Sequence, residues 1–98
     1  MTAPPSAYRL KANEQTAALI RSLHPDIKQK IRAGIEIIIN NPERGKQLRQ
    51  ELAGLLSFRV GKFRIVYRIA SKTVIELVAV GPRKTIYEET YKLLMREK

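Results

Sequence analysis

The chain has 98 residues, of which 44% are hydrophobic, and its formal net charge at pH 7 is +10. This length suits one core, so we expect residues 1–98 to form a single domain. The charge excess points to an acidic partner, with nucleic acid as the first candidate, although a basic surface can also serve solubility alone. We see neither a long apolar span nor an amphipathic helix with a basic flank, which argues against a membrane role.

Metal, cofactor and secretory functions have little support in the sequence. The amino terminus lacks the charged and apolar regions of a signal peptide, so we expect a cytoplasmic protein. There is no cysteine, which excludes disulfides and thiolate metal ligands. The acidic residues fall mostly on predicted helix surfaces or in a connector, so no metal site is predicted. The one histidine, His24, is interpreted as a neighbour of a helix start, and no cofactor is expected.

The first half of the chain is predicted to be mainly helical. After a loose start with prolines, Tyr8–Leu10 can form a short strand. Asn13 is a suitable N-cap for a helix that ends near Leu23, and Pro25 suits the first position of a second helix. Four isoleucines recur at helical spacing in that second helix: Ile27, Ile31, Ile35 and Ile38. Asn40-Asn41-Pro42 ends the helix. The path of the connector from residue 43 to residue 54 is not predicted.

After the connector, the spacing of hydrophobic residues changes from the 3.6-residue period of a helix to the two-residue period of a strand. This alternation predicts strands at Leu56–Val60 and Phe63–Ile69, joined by a Gly61-Lys62 hairpin loop in which the glycine has positive φ. A third strand is predicted at Val74–Val80. The result is an α+β domain, with N-terminal helices packed on one face of a small, mainly antiparallel sheet and with a C-terminal helix.

The C-terminal helix is predicted from Thr85 onwards. Thr85 and Glu88 have the spacing of a capping box, and Tyr87, Tyr91 and Leu94 recur at i, i+4 and i+7. Tyr87 then occupies the second helical position, where free backbone N–H groups and the helix dipole favour negative charge. Nearby guanidinium groups would also stabilise a phenolate, so Tyr87 can act as a general base. The alternative is that Tyr87 and Tyr91 simply face the core.

The hairpin loop fixes a register that places two arginines opposite each other. All apolar partners then share one face, which makes the register self-consistent. On the other face Arg59 lies across from Arg64, and like charges in that position are destabilising. An anion bound between these two side chains would relieve their repulsion.

The third strand is expected to add a further arginine. With Ser71-Lys72-Thr73 as the loop, Arg68 lies opposite Glu76, which neutralises it, and Arg64 lies opposite Val80. Arg83 leaves the end of this strand on the side of Arg64. Three arginines therefore converge, unless all three point independently into solvent. With Tyr87 they would form a metal-free anion site, suited to stabilising a phosphorane-like transition state.

These residues resemble a known family. The segments Phe58–Arg68, Val80–Lys84 and Ile86-Tyr87 are similar to the C-terminal half of the RelE/ParE toxin superfamily. The helix that ends at Asn41-Pro42 and the connector after it resemble the N-terminal half. The resemblance is strongest to the RelE type, which implies a ribosome-dependent endoribonuclease of a type II toxin–antitoxin system.

The resemblance also implies residue roles. In RelE toxins basic residues hold the scissile phosphate and a C-terminal tyrosine activates the ribose 2′-hydroxyl, giving a 2′,3′-cyclic phosphate and a free 5′-hydroxyl. By this comparison the catalytic residues are Arg59, Arg64, Arg83 and Tyr87, and the RNA-binding residues are Lys62, Arg68 and Lys84. The departure is Ser57, where better-known relatives carry a lysine. Lys62 is a candidate to replace that lysine.

Partners and alternatives follow from the same resemblance. It implies an acidic, RelB-like antitoxin, the ribosomal A site and mRNA as partners, with operator DNA bound only through the antitoxin. The ParE branch shares the fold and much of the Arg–Tyr sequence but acts on DNA gyrase without cutting RNA, and the sequence separates the two branches poorly. A basic RNA-binding module without catalysis is the third possibility.

Overall fold

A computed structural model describes residues 8–96 of the chain; the predicted loose start lies outside these residues. The fold is a mixed α+β domain, as predicted, with three helices and a five-stranded sheet in the described part. The elements in chain order are β1 (Arg9–Ala12), α1 (Glu14–Ser22), α2 (Pro25–Asn40), β2 (Lys46–Gln47), β3 (Leu56–Val60), β4 (Phe63–Ser71), β5 (Val74–Pro82) and α3 (Ile86–Arg96).

The sheet has the strand order β1-β5-β4-β3-β2. Only the β1–β5 pair is parallel among the described strands, so the sheet is mainly antiparallel as predicted. The β3–β4 hairpin has the predicted register, with Val60 opposite Phe63 and Arg59 opposite Arg64. Gly61 has a φ of +60°, so the glycine supplies the left-handed conformation that the two-residue loop requires.

The predicted register between β4 and β5 is only partly correct. Arg68 lies opposite Glu76 and Tyr67 opposite Leu77, as expected, but a β-bulge at Val78 then shifts the pairing by one residue. Arg64 therefore lies opposite Gly81 rather than Val80. A bulge adds one residue to one strand, which the alternation of side chains alone does not predict. Its effect is to place a residue without a side chain next to Arg64.

The two N-terminal helices pack on one face of the sheet and form the larger core cluster. Both predicted helix starts are confirmed: the Asn13 side chain accepts a hydrogen bond from the Thr16 N–H, and Pro25 is the first residue of α2. The isoleucine stripe of α2 faces this cluster as predicted. Gly34 lets α2 approach the sheet closely, because a Cβ there would lie 2.8 Å from a Val60 methyl group.

The third helix packs on the opposite face of the sheet, in a smaller cluster with residues of the connector. It begins directly after Thr85, at the predicted position. Its buried residues are Ile86 and Thr90, whereas Tyr91 is 41% exposed. The alternative in which Tyr91 faces the core is therefore wrong: Ile86 and the small Thr90 meet the sheet, and Tyr87 and Leu94 pack at the edge of the cluster.

The connector is held to the sheet by one buried tyrosine. The Tyr67 hydroxyl donates a 2.6 Å hydrogen bond to the Pro42 carbonyl and accepts one of 3.0 Å from the Gly45 N–H. Only glycine fits at position 45, because a Cβ there would clash with the Tyr67 hydroxyl. The connector also contains two 3-10 turns and β2, which pairs with the start of β3.

We expect Tyr67→Phe to lower the free energy of unfolding by about 1–3 kcal/mol, because it leaves two backbone groups without their partner. Urea denaturation at pH 7 measures the loss. Tyr91→Phe is the matched control and should change stability by less than about 0.5 kcal/mol, since Tyr91 is exposed. An equal effect of the two substitutions would contradict the anchoring role of Tyr67.

The difference in the free energy of unfolding between wild type and Tyr67→Phe should depend on pH only in alkaline solution. Burial raises the pKa of Tyr67 above its usual value of 10.0, although the hydrogen bond from Gly45 acts in the opposite direction. Above about pH 10 the unfolded chain loses this proton first, so it binds fewer protons than the folded protein and stability falls. The difference between wild type and Tyr67→Phe should be constant below that pH and shrink above it.

Candidate active site

The candidate site lies on the face of the sheet that α3 partly covers. Alternation along the strands places Ser57 and Arg59 of β3 on this face, next to Arg64 and Val66 of β4. The register puts Ser57 opposite Val66 and Arg59 opposite Arg64. The hairpin thus places the two arginines at opposite positions on this face, as predicted.

A buried serine links two of the predicted site residues. Ser57 is only 2% exposed, and its Oγ accepts a 3.1 Å hydrogen bond from Arg64 Nη1 and another of 3.1 Å from the Tyr87 hydroxyl. The Arg64 guanidinium carbon lies 6.0 Å from the centre of the Tyr87 ring, at the outer limit of a cation–π contact. These three side chains therefore form one connected cluster, called here the Arg64–Ser57–Tyr87 cluster.

The strand geometry explains how Arg64 reaches Ser57. The two residues are diagonal neighbours on the hairpin, where separations of about 7–8 Å are within reach of a long side chain. Arg64 therefore points along the sheet instead of directly into solvent, and it is partly buried. Its Nε is buried and has no hydrogen-bond partner within residues 8–96. An unpaired buried donor on a charged group costs free energy, and functional sites tolerate such a cost more often than the rest of a protein does.

The contact of Tyr87 with Ser57 depends on the close approach of α3 to β5. A Cβ on Gly81 would lie 3.0 Å from an Ile86 methyl carbon and 3.4 Å from a Glu89 carboxylate oxygen. The absence of a side chain at Gly81 thus lets the first turn of α3 lie against the sheet. Tyr87 is in that first turn, at the second helical position as predicted.

The other predicted site residues surround the hairpin loop and are exposed. Arg59 Nε donates a 3.3 Å hydrogen bond to the Gly61 carbonyl. The Arg83 backbone N–H donates to the Lys62 carbonyl at 2.8 Å, which fixes the start of the Arg83 side chain beside the loop. Lys84 follows Arg83 in the turn before α3. The backbone of these residues therefore meets at one end of the sheet.

Arg68 is in a different environment. Its Nε forms a 2.6 Å ion pair with a Glu76 carboxylate oxygen, which confirms the predicted partner. It lies four residues from Arg64 along β4, a distance of roughly 13 Å. Its charge is already compensated, so it is less available to an anionic ligand than Arg64 is.

The cluster combines the two groups that acid–base and electrostatic catalysis at a phosphate would need. A phenol can exchange a proton, and a guanidinium can hold an anionic oxygen. Within the described ranges no group of three or more His, Asp or Glu side chains could hold a metal ion. Between residues 8 and 96 there is also no helix with the length and hydropathy to span a membrane.

Sequence reasoning did not identify Ser57 as part of the site. Its only distinguishing signal was that it occupies a position where a lysine was expected. Its location two residues before Arg59 on the same strand face places it near the arginines. Its contact with Tyr87, however, depends on the packing of α3, for which the sequence gives no local signal.

The fold and this site together define a small basic α+β protein with an Arg–Tyr cluster. A family model described as the ParE toxin of type II toxin–antitoxin systems, parDE, matches residues 7–87. The chain therefore belongs to the ParE toxin family of type II toxin–antitoxin systems, within the RelE/ParE superfamily. This confirms the resemblance to the superfamily. A comparison with curated proteins gave no match.

Solved structures of RelE toxins have the same fold. The RelBE2 toxin–antitoxin complex from Mycobacterium tuberculosis matches with 30% identity and a TM-score of 0.69, covering 78% of this chain and 98% of that chain. An arginine mutant of the E. coli toxin RelE in the free state gives 19% identity and a TM-score of 0.72, with coverages of 92% and 96%. The archaeal RelE–RelB complex from Pyrococcus horikoshii gives 24% identity and a TM-score of 0.62, with coverages of 79% and 96%.

Proposed function

We propose that this toxin is a metal-independent, ribosome-dependent endoribonuclease that cleaves mRNA and so inhibits translation. The observation that carries the proposal is the Arg64–Ser57–Tyr87 cluster, which holds a phenol and a guanidinium in contact with one hydroxyl. This arrangement suits proton transfer and anion stabilisation at one phosphate. The proposal also places the protein in the cytoplasm, where ribosomes and mRNA are found.

In the proposed reaction the substrate supplies its own nucleophile. Tyr87, as the phenolate, takes the proton of a ribose 2′-hydroxyl, and the 2′-oxygen attacks the adjacent phosphorus. The bond from phosphorus to the 5′-oxygen breaks, and this oxygen leaves as a hydroxyl after it gains a proton. The products are a 2′,3′-cyclic phosphate and a free 5′-hydroxyl. DNA lacks the 2′-hydroxyl and would not be cut.

The arginines would stabilise the negative charge that develops on the phosphate oxygens. Arg64 is anchored by Ser57 and so has a preorganised position, which is the condition for strong electrostatic stabilisation. Arg59 and Arg83 would approach the phosphate from the hairpin side. Lys62, in the loop, is our candidate donor of the leaving-group proton, since Ser57 occupies the position of the lysine found in relatives.

The basic surface around the cluster would hold the rest of the RNA. Lys62 and Lys84 are exposed at the same end of the sheet and suit contacts with the phosphate backbone. Arg68 would contribute less, because Glu76 neutralises it. In this proposal the ribosomal A site presents the mRNA to the cluster.

A second candidate function is inhibition of DNA gyrase without RNA cleavage, as in the ParE branch. The observation in its favour is the match of the ParE family model over residues 7–87. The two functions differ in the first effect on a cell. A gyrase inhibitor should cause DNA damage signalling before translation stops, whereas an mRNA-cleaving toxin should stop translation first.

The experiment that tests the proposal is induction of the toxin followed by primer extension on two copies of one transcript. One copy is translated and the other lacks a start codon. We expect cleavage sites only in the translated copy. Cleavage of both copies would contradict ribosome dependence, and cleavage of neither would favour the gyrase alternative or a plain RNA-binding module.

We further propose that an acidic, RelB-like antitoxin binds this chain and neutralises its basic face. The net charge of +10 and the two similar toxins solved with antitoxins support this partner. Binding to operator DNA would then occur only through the antitoxin. We expect the antitoxin to be encoded beside the toxin, so co-expression of a neighbouring small acidic protein should restore growth. Toxicity that persists with every such neighbour would contradict the pairing.

A further inference from the structure

We propose that the Ser57 hydroxyl is a positioning group that couples Arg64 to Tyr87 and keeps the Tyr87 oxygen in place for proton transfer. This inference rests on the proposed function and deepens it, because it assigns a role to the residue that departs from the lysine of relatives. Ser57 would act through Tyr87 and would not itself react.

Ser57 accepts hydrogen bonds from two other elements of the fold. Its oxygen accepts from Arg64 Nη1 and from the Tyr87 hydroxyl, both at 3.1 Å, and it is 2% exposed. A hydroxyl oxygen has two lone pairs, so both are used, and one O–H remains as a donor. The bonds come from a different strand and from a helix, so Ser57 is the point at which the two elements are joined.

The O–H of Ser57 matters when Tyr87 acts as the proton acceptor. The phenolate can no longer donate, but the Ser57 hydroxyl can rotate and donate to it instead. Arg64 continues to donate to Ser57 Oγ and polarises this hydroxyl, because charge-assisted hydrogen bonds are stronger than neutral ones. The same heavy-atom geometry therefore serves both protonation states of Tyr87.

A lysine at this position would behave differently. Its ammonium group has three donors and no acceptor, so it could not accept from Arg64 or from the Tyr87 hydroxyl. It would also place a second positive charge beside Arg64 in a buried location, which is costly. A serine at this position can instead accept hydrogen bonds from both Arg64 and Tyr87, which brings the arginine close to the tyrosine.

The first test does not depend on activity. In protein labelled with ¹³C at the tyrosine ring carbon that bears the oxygen, Tyr87 is assigned by the resonance missing from Tyr87→Phe. We expect Ser57→Ala to shift this resonance, and the exposed Tyr91 serves as an internal control that should not move. An unchanged Tyr87 resonance would overturn the inference.

A matched pair of variants covers the case in which Ser57→Ala fails to fold. Ser57→Thr and Ser57→Val have nearly the same shape, and only threonine retains the hydroxyl. Threonine should keep the Tyr87 resonance near its wild-type position, whereas valine should shift it. If the two variants gave the same spectrum, the hydroxyl would not be the positioning group.

The second test is a double-mutant cycle on cleavage of ribosome-bound mRNA. Ser57→Ala should lower kcat by about 10-fold, the factor that corresponds to one hydrogen bond, with KM nearly unchanged. In a Tyr87→Phe background the same change should have a clearly smaller effect, limited to the lost anchor of Arg64, because residues that act as a unit are not additive. Losses that multiply independently would overturn the inference.

The outcomes separate this inference from the proposed function. Full activity of Ser57→Ala, in a protein whose wild type cleaves mRNA, would overturn the role of Ser57 and leave the proposed function intact. An inactive wild type would overturn the proposed function and, with it, the role of Ser57 in cleavage.

Discussion

Replacement of Arg64 by alanine is expected to slow cleavage of ribosome-bound mRNA by about 100-fold or more, the usual cost of removing one preorganised donor to a developing oxyanion. Arg64 is the central cation of the site because it is tied to Ser57 and lies beside the Tyr87 ring. Arg83→Ala should give a loss of similar size, since the Arg83 backbone is held beside the hairpin loop. The protein should still fold, because Arg83 is exposed. Single-turnover kinetics with purified ribosomes measures both effects.

The stability of these variants should not follow their activity. Arg59 and Arg64 occupy opposite positions on the hairpin, although their side chains extend in different directions, so removing either relieves a repulsion of at most a few tenths of a kcal/mol. Arg64→Ala also removes a buried Nε without a partner, which offsets the lost hydrogen bond to Ser57. We therefore expect unchanged or slightly raised melting temperatures together with lost activity.

Arg68→Ala is the matched control for these variants. It removes a guanidinium from the same strand and the same face, but one that is paired with Glu76. Cleavage should stay within a few-fold of wild type. If Arg68→Ala and Arg64→Ala were equally slow, general basicity rather than the cluster would explain the activity, and the site assignment would fail.

Removal of the Tyr87 hydroxyl is expected to have the second large effect. Tyr87→Phe should slow the chemical step by about 100-fold or more, which is typical for loss of a positioned general base. Affinity for the ribosome should be unchanged, because the substitution deletes one oxygen and keeps the ring that lies against Arg64. Binding by sedimentation and cleavage by single turnover separate the two steps.

Tyr91→Phe provides the control for Tyr87. Both tyrosines are on α3, but Tyr91 is 41% exposed and one turn further along the helix. It should cleave at the wild-type rate. Wild-type cleavage by Tyr87→Phe would show that another group takes the 2′-proton, and the proposed mechanism would then be wrong.

The hairpin was predictable because two local constraints agree there. The loop glycine sets the turn, and the alternation of apolar residues allows only one register in which one face is buried. The Arg59–Arg64 pairing follows directly from that register and was confirmed. The isoleucine stripe of α2 was predictable for a similar reason, since helical spacing and burial require the same face.

The bulge at Val78 could not be predicted from the alternation of apolar and polar residues along β5. It is stabilised by tertiary packing, in which Val78 and Ala79 both contact the cluster under α3 while Val80 returns to the other core. The shift brings Gly81 opposite Arg64 and makes room for the first turn of α3. The geometry of the site therefore depends on a local irregularity that only the folded structure shows.

The orientation of α3 was also beyond the sequence pattern. Tyr87, Tyr91 and Leu94 have helical spacing, but the fully buried residues of the helix are Ile86 and Thr90, while Tyr87 and Leu94 are only partly buried. The Thr90 hydroxyl donates to the Ile86 carbonyl, so a polar residue is satisfied inside the core. This rotation directs Tyr87 towards Ser57, and it explains why the sequence identified the tyrosine but not its partner.

The most direct test of the central claim is the chemical nature of the RNA ends produced in a purified translation system. Ribosomes stalled on a defined mRNA are mixed with wild-type toxin or with Tyr87→Phe, and the same mRNA without ribosomes serves as a control. We predict rapid cleavage by the wild type only on the ribosome, with a 2′,3′-cyclic phosphate on one fragment and a 5′-hydroxyl that a kinase can label directly on the other. Intact mRNA with wild-type toxin, or fragments with 5′-phosphate ends, would contradict the proposal that the Arg64–Ser57–Tyr87 cluster cleaves RNA by activating the 2′-hydroxyl of the RNA.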